Sequence, residues 1–393
     1  VKLTQNEARS ARLRALPPYL FEELVRIRDT TQARGIDVID LSIGDPDLGA
    51  PDVVVEALRK YAGDPRLHCY TPRWVIDKFG EAASAWMKQR FGVSVDPRTE
   101  VFPLVGTKEG LAHLPLAVID PGDTALVPDP GYPVYSRGVW FAGGRVEWMP
   151  LTAGNGFLPD VAALKGKSPK VVFINYPNNP TAAVATLDFY AGLTRWAREA
   201  NVFVVNDAAY SEIAFDGHVS PSILQVPDAK SVAVEFHSFS KTFNMAGWRV
   251  GFIAGQRDLV SALKTLKSNI DSSVFGPILM ASIAALEGGW SCLEATLKEY
   301  KARRALVFRS LEACGIEYHR SPATLYIWAR VPGSMKSLDF ARLLLDKAGV
   351  LVAPGVGFGE GGEGYFRISI TCATSRVKAA AERLHEVSGL WKR

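Results

Sequence analysis

The feature that most constrains this chain is an alternation, through its middle, of short uninterrupted apolar runs and longer amphipathic segments. Residues 171–176 (VVFINY) form one such run and lead into a Pro/Asn turn. Residues 187–200 follow with the spacing of an amphipathic helix, and residues 202–205 (VFVV), 233–236 and 250–254 continue the series. A strand that is apolar at every position has to be covered on both faces, and strands separated by helices pair in parallel. The pattern predicts an α/β fold in three layers, with a large, mostly parallel sheet between helices. Ligands of such sheets sit beyond the carboxyl ends of the strands, which is where the polar clusters of this sequence fall.

After Gly289 the texture changes. A long charged helix over residues 292–313, a strand over 325–331, a helix over 338–348, a strand over 365–371 and a closing helix from Ser375 predict a smaller α+β domain. At 393 residues the chain has room for both units. The expected division is an arm, residues 1–44, too short to fold alone and packing on the small domain; a large domain, 45–289; and a small C-terminal domain, 290–393.

Charge and cysteine usage narrow the function classes. The 45 basic and 41 acidic residues leave a net charge of +4, small for this length and without a dense Lys/Arg run, which argues against nucleic-acid or membrane-surface partners. Cys69, Cys292, Cys314 and Cys372 lie far apart and form neither a CxxC pair nor a cluster with histidine, so no metal and no disulfide framework are expected. Reduced thiols, no signal peptide and no apolar run of the ~18 residues a span requires together predict a cytoplasmic protein.

Four clusters carry the chemistry. Gly106-Thr107-Lys108-Glu109-Gly110 opens a helix after a strand; its backbone N–H groups and the hydroxyl can hold a phosphate, although an ordinary capping turn reads the same way. Asn175-Tyr176-Pro177-Asn178-Asn179-Pro180-Thr181 is either a rigid turn or a pair of amides aimed at a ligand. Asn206-Asp207-Ala208-Ala209-Tyr210 places an acid directly after an apolar strand, where a helix cap is the plain alternative. Ser238-Phe239-Ser240-Lys241 ends one strand, and Gly247-Trp248-Arg249-Val250-Gly251 opens the next. A lysine between two apolar strands has its ammonium disfavoured by burial, and the neutral amine so produced is a nucleophile; the serines and Arg249 beside it supply donors for a phosphate dianion.

These elements, in this order, resemble the fold-type I enzymes that use pyridoxal 5′-phosphate (PLP), in their class I/II aminotransferase branch, over nearly the whole chain. The resemblance implies that Lys241 carries PLP as a Schiff base and shuttles the proton at the substrate Cα, that Asp207 pairs with the pyridinium nitrogen, and that Asn179 and Tyr210 bond the phenolic oxygen. It implies further that Tyr132 of Asp129-Pro130-Gly131-Tyr132-Pro133 stacks on the ring, and that Thr107, Lys108, Ser238, Ser240 and Arg249 surround the phosphate. Arg367, in Tyr365-Phe366-Arg367-Ile368-Ser369, matches the arginine that grips the substrate carboxylate. The Asn179–Pro180 bond is expected to be cis.

Residues 41–48, 127–135, 207–212 and 267–272 look most similar to LL-diaminopimelate aminotransferases. That likeness adds Gly44 and Asn269 to the substrate and cofactor shell, has Tyr70 reach the phosphate of a neighbouring subunit, and implies a homodimer with shared sites acting on a small amino acid and a 2-oxo acid such as 2-oxoglutarate. Two regions depart from the likeness. Ala182 takes a position that is usually glycine, and in the specificity loop after Tyr70 the positions of an acid, a glycine and a later arginine are taken by Trp74, Val75 and Gly80. Without that acid a distal ammonium loses a charged partner, so diaminopimelate is expected to be a poor donor, with Trp74 lining the substrate pocket. A lyase or synthase of the same fold, such as a cysteine-S-conjugate β-lyase, would present the same lysine, aspartate and phosphate cup.

Overall fold

The structure is a computed structural model that describes residues 8–17 and 20–391. Its centre is a seven-stranded sheet with the strand order Val101–Leu104, Gly251–Gly255, Ala233–Ser238, Phe203–Asp207, Val171–Asn175, Thr124–Asp129, Arg145–Pro150. The central strands alternate between two cores. Val172, Ile174 and Val204 face one helical layer, while Phe173, Val205, Val234 and Phe236 face the other. Both faces are covered by buried apolar side chains, which is why the sequence shows unbroken apolar runs there. The strands Val101–Leu104, Thr124–Asp129 and Arg145–Pro150 were not singled out in the sequence; the last of these is half-exposed at the sheet edge.

One expectation needs correction. The apolar run at residues 250–254 predicts another member of the parallel series, but Gly251–Gly255 is antiparallel to both of its neighbours. After Ser238 the chain does not cross the sheet. It folds into the short helix Phe239–Thr242 and the turn Ala246–Trp248, so the next strand starts at the end where the last one stopped and has to run back. That reversal holds Lys241 between two strand ends.

The second unit is a four-stranded antiparallel sheet in the order Ala353–Pro354, Tyr365–Ser369, Tyr326–Arg330, Tyr318–His319. It carries the helices Trp290–Ala313, Ser337–Ala348 and Thr374–Val387. The helix Gly276–Gly288 turns by 75° into Trp290–Ala313. At the bend, a Cβ on Gly289 would sit 2.8 Å from the carbonyl of Ala285 and 3.1 Å from the Phe243 ring. Near the N-terminus, Ile39–Asp40 pairs in parallel with Val350–Leu351, and the backbone N–H of Ser369 donates to the carbonyl of Leu41 at 2.8 Å. We propose domain limits at residues 44 and 289, with the arm docked on the smaller sheet through these contacts. The four cysteines are free thiols: Cys69 exposed, Cys292 and Cys372 half-buried, Cys314 buried. Among the described residues, no single helix is long and apolar enough to cross a membrane.

Candidate active site

A cleft of about 660 Å³ opens at the carboxyl ends of the parallel strands, and twelve of the fifteen residues proposed from the sequence line it: Gly44, Thr107, Lys108, Tyr132, Asn179, Asp207, Tyr210, Ser238, Ser240, Lys241, Arg249 and Arg367. Three do not. Asn269 caps the exposed end of the helix Arg257–Ser268 and donates to the carbonyl of Thr265. Trp74 lies in the first turn of Arg73–Phe91, 40% exposed, with the Lys78 ammonium over its indole. Tyr70 is 89% exposed. Within one chain, then, Trp74 does not line the substrate pocket as its loop position had suggested.

The lysine floor is set by backbone. Lys241 Nζ donates to the carbonyl of Gly44 at 2.6 Å, and burial pulls its pKa down to about 8, a fall moderated by the nearby Asp45 carboxylate. Gly44 itself has no room for a side chain, because a Cβ there would stand 2.1 Å from the Tyr326 hydroxyl. The amine is thus partly neutral near physiological pH, as a nucleophile requires.

Asp207 ends the strand Phe203–Asp207 and is 5% exposed. Its Oδ2 accepts from the Tyr135 hydroxyl at 2.8 Å, its Oδ1 accepts from the backbone N–H of Ala209 at 3.1 Å, and Asn175 Nδ2 donates to its carbonyl at 2.6 Å. Burial raises its pKa to about 6 against the lowering effect of the Tyr135 hydrogen bond. A buried carboxylate held by neutral donors is a socket for a cation. Asn175 also accepts from the backbone N–H of Asn179 through Oδ1 at 2.7 Å, which ties the Asn/Pro turn to the Asp207 strand. The bonds Asp129–Pro130, Tyr176–Pro177 and Asn179–Pro180 are all cis, the last as expected.

An anion cup lies on the other side. The helix Thr107–Val118 starts at Gly106, whose φ is 75°. A Cβ on Gly106 would meet Arg249 Nη2 at 2.5 Å, and one on Gly251 would meet the Thr107 side chain at 3.0 Å. Gly106 therefore lets the guanidinium lie against the helix start, and Gly251 lets its strand approach Thr107 there; the free N–H groups and the helix dipole at such a start favour a dianion. Arg249 adopts a left-handed backbone and donates to the Ala246 carbonyl at 2.7 Å.

Arg367 is 2% exposed. Its Nη1 donates to Asn179 Oδ1 and its Nη2 to the carbonyl of Ser42, each at 2.6 Å, while the guanidinium packs over the rings of Tyr326 and Phe358 at 4.0 and 4.7 Å. The Tyr326 hydroxyl is 3.0 Å from that of Tyr210. Sequence reasoning missed Tyr135, Tyr326 and Glu22. Tyr135 stands three residues beyond Tyr132, one helical turn away, so the spacing carried a signal. Tyr326 and Glu22 had none, because they arrive from the small sheet and from the helix Leu20–Ala33.

Glu109, His113 and Asp271 bring ligand atoms within 4.8 Å of one another. The buried Lys267 ammonium already bonds Glu109 and Asp271, at 2.8 Å each. The cationic position of that cluster is filled by the chain itself.

A three-layer α/β sheet with a half-buried lysine just past a strand end, a buried carboxylate at the next strand and a buried arginine facing the same cleft is the arrangement of a fold-type I transferase. The sequence pattern of the family Aminotransferase class I and II matches residues 36–384, and the chain belongs to that family. It is 50% identical to the LL-diaminopimelate aminotransferase of Desulforudis audaxviator over 381 residues, covering 96% of this chain and 97% of that one. It is 48% identical to the enzyme of the same name from Aquifex aeolicus over 378 residues, 95% and 98% of the two chains. Among solved structures, substrate-bound BacF from Bacillus subtilis superposes with a TM-score of 0.93 at 35% identity, covering 97% and 98%. A Thermus thermophilus aspartate aminotransferase mutant does so at 0.90 and 28%, covering 97% and 99%. This chain is an aminotransferase, and these comparisons give the lyase alternative no support.

Proposed function

We propose that the cleft binds PLP and transfers the amino group of an amino acid with a charged far end to a 2-oxo acid such as 2-oxoglutarate. The observation that carries this reading is the convergence of Lys241, Asp207 and Arg367 on one cleft, the last two buried and the lysine half-buried, each with chemistry that suits one part of the cofactor or substrate. Lys241 would anchor the cofactor, and Thr107, Lys108, Ser238, Ser240 and Arg249 would hold its phosphate. Asp207 would pair with the ring nitrogen, Asn179 and Tyr210 would face the phenolic oxygen, and Tyr132 would cover the ring. When bound, PLP supplies a conjugated electron sink for the charge left at the substrate Cα. Arg367 would clamp the substrate α-carboxylate through its planar fork and so hold the substrate Cα in the cleft that Lys241 also lines. Lys241 Nζ would then move the proton at Cα.

We further propose a cytoplasmic homodimer with shared sites. Tyr70, Trp74, Ile270 and Phe275 are large and exposed, and the two segments that carry them are joined by the Thr71 hydroxyl on the Val274 carbonyl and by the His68 ring against Phe275. A second copy seated on this edge would bury that apolar surface and bring Tyr70 and Asn269 toward the partner's cleft.

For the donor, the names of the relatives point to LL-diaminopimelate. Glu22, which lines the mouth of this cleft, offers a carboxylate to a distal ammonium in place of the acid lost at Trp74. A donor screen against 2-oxoglutarate, read by mass spectrometry, tests this. Diaminopimelate should rank first, and Glu22→Gln should raise its KM roughly 5- to 10-fold, as expected for one partly solvated charged contact, while donors with one amino group are unaffected. A second reading rests on Trp74: were the partner's indole to close the mouth, apolar or aromatic donors would win the screen and Trp74→Glu would improve diaminopimelate.

A further inference from the structure

Tyr135 is fully buried in the helix Val134–Phe141, and its ring packs against two aromatic neighbours. One face stacks on Phe173 at 5.5 Å and 17°, and Tyr132 meets it edge-on at 5.9 Å and 86°. A ring so wedged has one position for its hydroxyl, and that position is 2.8 Å from Asp207 Oδ2. Among the described residues Asp207 receives one other donor on its side chain, the backbone N–H of Ala209 on Oδ1.

From this geometry we propose that Tyr135 is a positioning residue: its hydroxyl holds the Asp207 carboxylate ionised and aimed into the cleft, so that Asp207 can keep the ring nitrogen of the cofactor protonated. The proposal rests on the PLP reading above. A carboxylate this deeply buried is driven toward its neutral acid, and a neutral acid cannot stabilise a pyridinium. A hydrogen bond donated to the charged form opposes that drift. Tyr135 keeps its proton available to the carboxylate, because burial and the Asp207 charge push its phenol well above the ordinary tyrosine range. The other titratable groups facing this pair are Tyr132 and Tyr210, which raise the Tyr135 phenol, and His237 of the adjacent strand, whose positive charge would favour the Asp207 anion. Lys241, Arg249 and Arg367 share the cleft. Of all these, only Tyr135 touches the Asp207 carboxylate with a side-chain donor among the described residues.

The test starts on the cofactor-free protein, with the Asp207 carboxyl followed by isotope-edited infrared titration and assigned by its loss in Asp207→Asn. Tyr135→Phe should raise the Asp207 midpoint by about one pKa unit, the tenfold change expected for one lost hydrogen bond. Site-specific replacement of Tyr135 by 3-fluorotyrosine keeps the ring and strengthens the donor, so the midpoint should move down. A packing role alone predicts no opposite shifts. With cofactor added, Tyr135→Phe should lower kcat roughly tenfold with KM nearly unchanged, and should move the acid limb of the kcat/KM profile upward. An Asp207 midpoint that stays within about 0.2 units in both variants overturns the proposal. Failure of the wild-type protein to bind PLP would instead overturn the proposed function, and the cofactor-free titration would still decide the Tyr135–Asp207 pair.

Discussion

Replacing Arg367 by lysine isolates what a planar fork contributes. In the structure the guanidinium is pinned by two charge-assisted hydrogen bonds of 2.6 Å, to Asn179 Oδ1 and the Ser42 carbonyl, and by the rings of Tyr326 and Phe358. Lysine keeps the charge and most of the stem but presents a compact ammonium that cannot reach both acceptors and a substrate carboxylate in one plane. One charged hydrogen bond is therefore lost in the ground state, and the alignment of the carboxylate is lost with it. At about 1.5–3 kcal/mol for a hydrogen bond to a charged group, with further loss from misalignment, the total comes to roughly 2–4 kcal/mol. That corresponds to a fall in kcat/KM of about 30- to 1,000-fold. The assay is stopped-flow measurement of the first half-reaction for several donors, with thermal melting as the folding control. Every α-amino acid should suffer alike, since the α-carboxylate is common to all. A change below about threefold, or one confined to a single donor, would refute the assignment of Arg367 to the α-carboxylate.

Three further outcomes are expected. Asp207 is raised from 3.8 to about 6 in the folded chain, so the native state binds its proton more tightly than the unfolded chain and this group favours folding below about pH 4, an advantage lost as pH rises through 6. In the cofactor-free protein, the stability of wild type relative to Asp207→Asn should fall by about 2 kcal/mol between pH 4.5 and 7.5, measured by denaturant unfolding; a flat difference would contradict the burial argument. Ala182 sits at φ 62° with no exposed surface, a conformation that costs an L-residue about 1 kcal/mol or more. Ala182→Gly should therefore raise the unfolding free energy by roughly 0.5–1 kcal/mol after the added freedom of the unfolded chain is subtracted, and a lowered Tm would argue against strain there. Phe275→Asp, placed on the proposed partner-facing edge, should shift sedimentation toward monomer and lower activity together, whereas an unchanged dimer would move the interface elsewhere.

The catalytic core was legible in the sequence because it is local. Each of Asp207, Ser238, Ser240, Lys241 and Arg249 stands at or just beyond a strand end or opens the next, and unbroken apolar runs announce such strands. The limits of Leu187–Ala200 could be read to the residue, because Thr186 caps one end and Asn201, at φ 55°, closes the other. The edge strand Arg145–Pro150 could not, since a half-exposed strand has a weak pattern. Arg367 was recognisable only by its motif, and its meaning came from Asn179, 188 positions earlier, and Ser42, 325 earlier.

What only the tertiary structure decided is which distant segments meet. Local propensity writes strands, helices and caps into the sequence, but it does not say that Gly44 must lack a side chain because Tyr326 stands against it. Nor does it say that the helix Leu20–Ala33 brings Glu22 to the mouth of the cleft, or that Trp74 turns outward. Periodicity makes residues 250–254 one more parallel strand, whereas the observed strand Gly251–Gly255 runs back. The physical reason is the same in each case. Backbone periodicity and burial act over a few residues and leave a repeating mark, whereas a contact between segments hundreds of residues apart depends on how whole layers pack and leaves no local pattern to read.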